Sequence, residues 1–124
     1  MAVNEPKAPL CSTLGELEQT LERCAMSSSD ARLQPLLKSL RLDLQRMADV
    51  AEAEFDYVSR APQSAEPYAD ATLGLVALSG AIAHARNAHD ETLARVTGTR
   101  TRLLLEGQLE RLRSMERQLE RHAA

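Results

Sequence analysis

Residues 68–89 read YADATLGLVALSGAIAHARNAH. From Leu73 to Ala83 every residue is apolar or small and uncharged, and the first arginine is Arg86. A helix that is apolar almost all round has to be covered on several sides. The stretch therefore reads as the central helix of an all-α protein, with its glycines and alanines letting neighbouring backbones come close. Leu75, Leu78, Ile82, Ala85, His89, Leu93 and Val96 form one side of it, and Ala77, Ala81 and Ala85 form a second ridge of small residues. Gly80 is expected at a close-packing point against the second helix or another chain. Leucine there would overpack it at a cost of ~1–3 kcal/mol.

Amphipathic segments flank this stretch on both sides. Upstream, Leu33, Leu37, Leu40, Leu44, Met47, Ala51, Phe55 and Val58 make one sustained seam. Pro35 is tolerated in its first turn and Ala61-Pro62 ends it. Residues 61–67, APQSAEP, then connect it to the central helix, which Ser64 or Glu66 would cap ahead of Pro67. Earlier still, Leu10, Leu14, Leu17, Leu21 and Cys24 repeat at heptad spacing, and Thr13 with Glu16 has the spacing of a capping box. Residues 1–11 read as a flexible tail, residues 12–124 as a single bundle domain, and Ser27-Ser28-Ser29 as a turn.

Downstream, VTGTRT (96–101) is weak helix and reads as a turn. A final helix over about 99–122 carries Leu105, Leu109, Leu112, Met115 and Leu119. The alternative is one helix running through Gly98 from 67 to 122. It would be ~84 Å long and would need a second chain to cover it.

Composition agrees with helix throughout. The chain has 124 residues, 44% of them hydrophobic, but no Trp, one Phe and two Tyr. The core must be aliphatic. Net charge is −3, which gives no global pull toward nucleic acid or an acidic membrane. The balance shifts along the chain, with eight basic against twelve acidic residues in 1–89 and seven against six in 90–124. Thirteen of the fifteen basic residues are Arg, a bias expected of a GC-rich bacterial genome. The N-terminus lacks an apolar secretory core, and no apolar run approaches the ~20 residues that span a bilayer. A cytoplasmic protein is expected, with Cys11 and Cys24 reduced. On one helix those two lie ~20 Å apart, beyond the reach of an internal bridge.

Candidate chemistry is sparse. His84 and His89 are five residues apart, where a helical metal pair needs three or four, and no Glu-x-x-His occurs. His89 is expected at the core edge and His84 on a polar flank. Asp49, Glu52 and Asp56 share a helical face that would suit a cation, but such a run is more often a solvated face. Arg113, Arg117 and Arg121 form a ladder with Arg102 beyond it. Interleaved Glu106, Glu110, Glu116 and Glu120 offset it through pairs such as Glu110–Arg113 and Glu116–Arg113, and there is no aromatic platform for bases. Cys11 precedes a helix start, where the dipole lowers a thiol pKa, but no base stands near it in sequence. Cys24 reads as a small hydrophobe. Ser79-Gly80 is only half of a nucleophile elbow.

These features point to an antiparallel bundle of three or four helices, possible in isolation or completed by dimerisation. The expected function is a non-enzymatic, self-associating protein-interaction module, an adaptor or escort without cofactor or metal. Leu73, Val76, Ala77, Gly80, Ala81, Leu105, Leu109 and Leu112 are its candidate packing residues. Two other readings stay open. One is a regulator that touches nucleic acid through the last helix, and the other is an enzyme built on an Arg/carboxylate cleft.

Overall fold

The computed structural model describes residues 7–27, 31–57 and 66–123. The expected turn at Ser28-Ser29, the Val58 seam position, the Ala61-Pro62 stop and the Ser64 cap lie outside them, as do residues 1–6. The described residues form four helices: α1 (Lys7–Ser27), α2 (Leu33–Glu54), α3 (Ala71–Arg95) and α4 (Thr99–Ala123). The protein is an all-α bundle, and the described residues contain no strand.

The contacts between helices fix the topology. Arg41 meets Glu22 at 3.1 Å, joining α2 to α1. Cys24 Sγ donates to the Gly74 carbonyl at 2.9 Å, and His84 Nδ1 lies 3.0 Å from Glu16, joining α1 to α3. Arg86 lies 2.9 Å from Glu116, joining α3 to α4. Gln118 donates to Asp43 and Gln108 to the Met47 carbonyl, each at 3.0 Å, joining α4 to α2. Along each pair the residue numbers run in opposite senses, so all four neighbouring pairs are antiparallel. One sequential pair is not a neighbouring pair. α2 and α3 run parallel across the diagonal, and the chain leaves α2 at one end of the bundle and enters α3 at the other.

Local chemistry sets the helix ends, several of which differ from the sequence reading. α1 begins at Lys7, more than a turn ahead of the expected Thr13 cap. Pro9 sits in its first turn, where a missing N–H costs nothing. Thr13 instead donates back to the Pro9 carbonyl at 2.9 Å, which satisfies a buried hydroxyl inside the helix. α2 stops at Glu54, short of Val58. Asp56 takes the left-handed conformation (φ 57°), which a short polar side chain tolerates better than most. The turn lets Tyr57 N–H reach the Ala51 carbonyl at 3.1 Å and carries Phe55 and Tyr57 inward, both buried. α3 is capped by Asp70, whose carboxylate accepts from Leu73 N–H, in place of the expected Glu66. α3 and α4 are separate helices. Val96 is extended, and Arg102 from α4 donates to the carbonyls of Leu93 and Val96. The continuous helix through Gly98 is thereby excluded.

The seams read from the sequence form the core. Leu10, Leu14, Leu17, Leu21 and Cys24 are buried, as are Leu33, Leu37, Leu40, Leu44, Met47 and Ala51, and Leu105, Leu109, Leu112 and Met115. Each such leucine contributes ~1.5–3 kcal/mol by leaving water. The helices run to 21, 22, 25 and 25 residues. α1 is therefore nearly as long as its neighbours and spans the core with them.

The central helix is the main correction. α3 buries Gly74, Leu78, Ala81, Ile82, Ala85, Ala88, His89 and Thr92, a single inner face like that of its neighbours. Its other face is open, with Leu73 51% and Val76 66% exposed. A Cβ on Gly80 would meet nothing within 4 Å, so the expected contact with α2 is absent. The close approach lies at Gly74. A Cβ there would come within 3.2 Å of Cys24 Sγ and 3.3 Å of the Tyr68 ring. Small residues at 74, 81, 85 and 88 line the buried face, and α1 packs on α3 more intimately than any other pair of helices packs.

Candidate functional site

The expected packing residues divide between two environments. Ala81, Leu105, Leu109 and Leu112 are buried within the chain and have no surface to offer. Leu73, Val76 and Gly80 are exposed and Ala77 is half-buried. These four sit on the half of α3 nearest its N-terminus. A groove of about 370 Å³ opens beside them between α3 and α4, lined by Thr72, Leu75, Val76, Ser79, Glu116, Leu119, Glu120 and His122. Its floor is aliphatic because Leu119 ends the α4 seam where the core runs out, and Leu75 lies on the α3 flank facing α4.

Side-chain contacts to both neighbouring helices flank this face. On the α4 side Arg86 Nε lies against Glu116 as an ion pair whose N–H direction falls outside hydrogen-bond geometry. On the α1 side His84 meets Glu16. From Ala71 to Ala83 no residue is ionisable.

A second apolar opening lies at the same end of the bundle, between α1 and α2. Ala25, Leu37 and Leu42 line about 850 Å³ there with Lys38 and Arg41. Met26 and Leu42 beside it are 52% and 54% exposed. At this end the chain entering α3 is pinned to α1. Arg23 stacks 3.9 Å over the Tyr68 ring and donates to the Glu66 carbonyl at 2.7 Å, and Tyr68 N–H donates to Ser27 Oγ. None of these ties is periodic, so no pattern of residues announces them. The buried Gln108–Met47 bond was missed for the same reason.

The polar candidates disperse. His89 is buried, and its Nδ1 lies 2.7 Å from the Ala85 carbonyl, where the neutral ring donates. Burial lowers its pKa from the usual 6.5, against smaller raising effects of that carbonyl and of Asp90. His84 lies on the exposed flank. No cluster of three or more His, Cys, Asp or Glu suited to a metal occurs among the described residues. Asp56 falls beyond the end of α2, so it does not share the expected helical face with Asp49 and Glu52. Arg113 and Arg121 are exposed, while Arg117 pairs with Glu110 at 3.3 Å. The expected partners of Arg113 thus pair elsewhere, Glu110 with Arg117 and Glu116 with Arg86. Cys11 lies inside α1, not ahead of it, and its thiol donates to the Phe55 carbonyl at 3.6 Å. It lines a cleft of about 580 Å³ with Glu16, Asp56 and Tyr57, whose hydroxyl donates to Glu18. Cys24 is buried, and desolvation pushes its thiol up to about 11 despite Arg23.

No described helix is long and apolar enough to cross a membrane. Comparison with models of protein families, with curated proteins and with solved structures finds no match to this chain.

Proposed function

We propose that the chain is a non-enzymatic protein-interaction module of the cytoplasm, working as an adaptor or escort through the outer face of α3. One observation carries this reading. The core closes within the chain, yet two large aliphatic side chains, Leu73 and Val76, stay more than half exposed beside an aliphatic groove. Water-exposed apolar area forgoes ~25 cal/mol per Å² relative to burial, and contiguous exposed patches mark interaction sites. The face suits an aliphatic helix laid along it, since helix-in-groove recognition reads anchors at i, i+3 and i+4.

The test is capture by the immobilised chain from its native host, followed by reconstitution with the purified partner. A stoichiometric partner that binds as pure protein and is lost on Val76→Glu supports the module. Binding indifferent to Val76→Glu and Leu73→Glu would move the site elsewhere. Absence of any reconstituted complex would sink the reading.

A further inference from the structure

We propose that a second copy of this chain docks on the outer face of α3, antiparallel to it, about a two-fold axis level with Leu78. The inference rests on the interaction reading above and names one occupant of the face. Leu73, Val76, Gly80 and Ala83 recur at spacings of three, four and three, so they form one stripe on a helix of 3.6 residues per turn. All four lie on the side away from the buried residues Leu78, Ala81, Ile82 and Ala85. The stripe holds two large residues and then two small ones.

Antiparallel pairing about the level of Leu78 matches that order to itself. Leu73 of one copy then faces Ala83 of the other, and Val76 faces Gly80. Every layer sets bulk against a small residue, which is how facing positions interdigitate without voids. Gly80 is open, since a Cβ there would meet nothing within 4 Å. That space would receive the second copy's Val76. Parallel pairing would instead stack Val76 on Val76 and leave Gly80 facing Gly80, a gap.

Charge favours the same occupant. A two-fold contact sets a patch against its own image, so unmatched charge of either sign would repel itself. Here the stretch from Ala71 to Ala83 is uncharged, and the Arg86 guanidinium beside it is already paired with Glu116 within each copy. A groove built for a strongly basic or acidic helix would present the opposite charge along its length, and the α3 side of this face, from Ala71 to Ala83, presents none.

The experiment uses the full chain carrying Cys11→Ser, since Cys24 is buried. Light scattering across a range of micromolar concentrations should show mass rising from 13.6 kDa toward twice that value. Gly80→Leu fills the space meant for Val76 and should weaken association about tenfold or more, with helix content and melting of the monomer retained. For the register, Val76→Cys and Gly80→Cys chains are oxidised separately and mixed. The mixture should form the cross-link and neither chain alone should. A mass of 13.6 kDa throughout overturns the pairing, and so does Gly80→Cys linking to itself as fast as the mixture links. A monomer that still loses a reconstituted partner on Val76→Glu overturns the pairing alone and leaves the interaction module standing.

Discussion

Gly74 and Gly80 lie less than two turns apart on α3 and have opposite surroundings. Gly74 is buried where α1 crosses, and an added Cβ would sit at 3.2 Å from Cys24 Sγ and 3.3 Å from the Tyr68 ring, tight enough that a neighbour must shift. Gly80 looks out on open space. Leu78 and Leu73 repeat the contrast, the first fully buried and the second half exposed. Residue size alone cannot tell a packed face from an unpartnered one. What separates them is the neighbour across the gap, and that neighbour is set by how α1 reaches α3.

The leucine pair should show the largest difference between the faces. Leu78→Ala removes a fully buried side chain and is expected to cost ~2–5 kcal/mol, measured by denaturant unfolding. Leu73→Ala should stay within ~0.5 kcal/mol for the monomer. Comparable losses at both would mean that the outer face is covered in solution by something the isolated chain supplies.

The glycine pair comes next and changes sign. Gly74→Leu should cost ~3 kcal/mol, since the atoms it meets belong to a second helix and to an anchored ring. Gly80→Ala should stabilise the monomer by ~1 kcal/mol, the helix preference of Ala over Gly. A destabilised Gly80→Ala monomer would erase the distinction between the two glycines.

His89 sharpens the contrast by pH. The folded pKa of His89 lies below its unfolded value of 6.5. Below that pH the unfolded chain binds the proton first, so stability is full above ~6.5 and falls as pH drops toward the folded pKa. The slope from this one group cannot exceed ~1.4 kcal/mol per pH unit. Unfolding at pH 5 and pH 8 should differ less in His89→Gln than in the parent, and an equal difference would place the ring outside the core. The smallest effect is on the thiols. A thiol reagent at neutral pH should label half-buried Cys11 ahead of Cys24, whose raised pKa and burial protect it until the chain unfolds. Simultaneous labelling would show that the α1–α3 seam opens locally.

The helices were legible because their seams are long and regular. Leu10 through Cys24, Leu33 through Ala51 and Leu105 through Met115 each repeat at three and four, and each proved buried. The α3–α4 break was legible too, from three Thr and a Gly. The α2–α3 diagonal was not, since periodicity says which face is buried and nothing about which helix buries it. The outer face of α3 misled for a related reason. Leu73, Val76 and Gly80 are as apolar as the inner face, so composition alone made the helix look central. Of the candidate packing residues, Leu73, Val76 and Gly80 are exposed, while Ala81 and the three α4 leucines belong to the chain's own core, and periodicity alone does not part the two groups.

The diagonal step from α2 to α3 divides the molecule into two hairpins, α1–α2 and α3–α4, whose apolar seams close chiefly on each other. Folding is in that sense an association between halves, held together by residues 55–70. A tether of this kind sustains an effective concentration in the millimolar range. Cutting it would make the melting of the monomer's own fold shift with the amounts of the two pieces. The halves 1–57 and 66–124 would then have a measurable dissociation constant, and the stability of the intact chain could be read as an affinity.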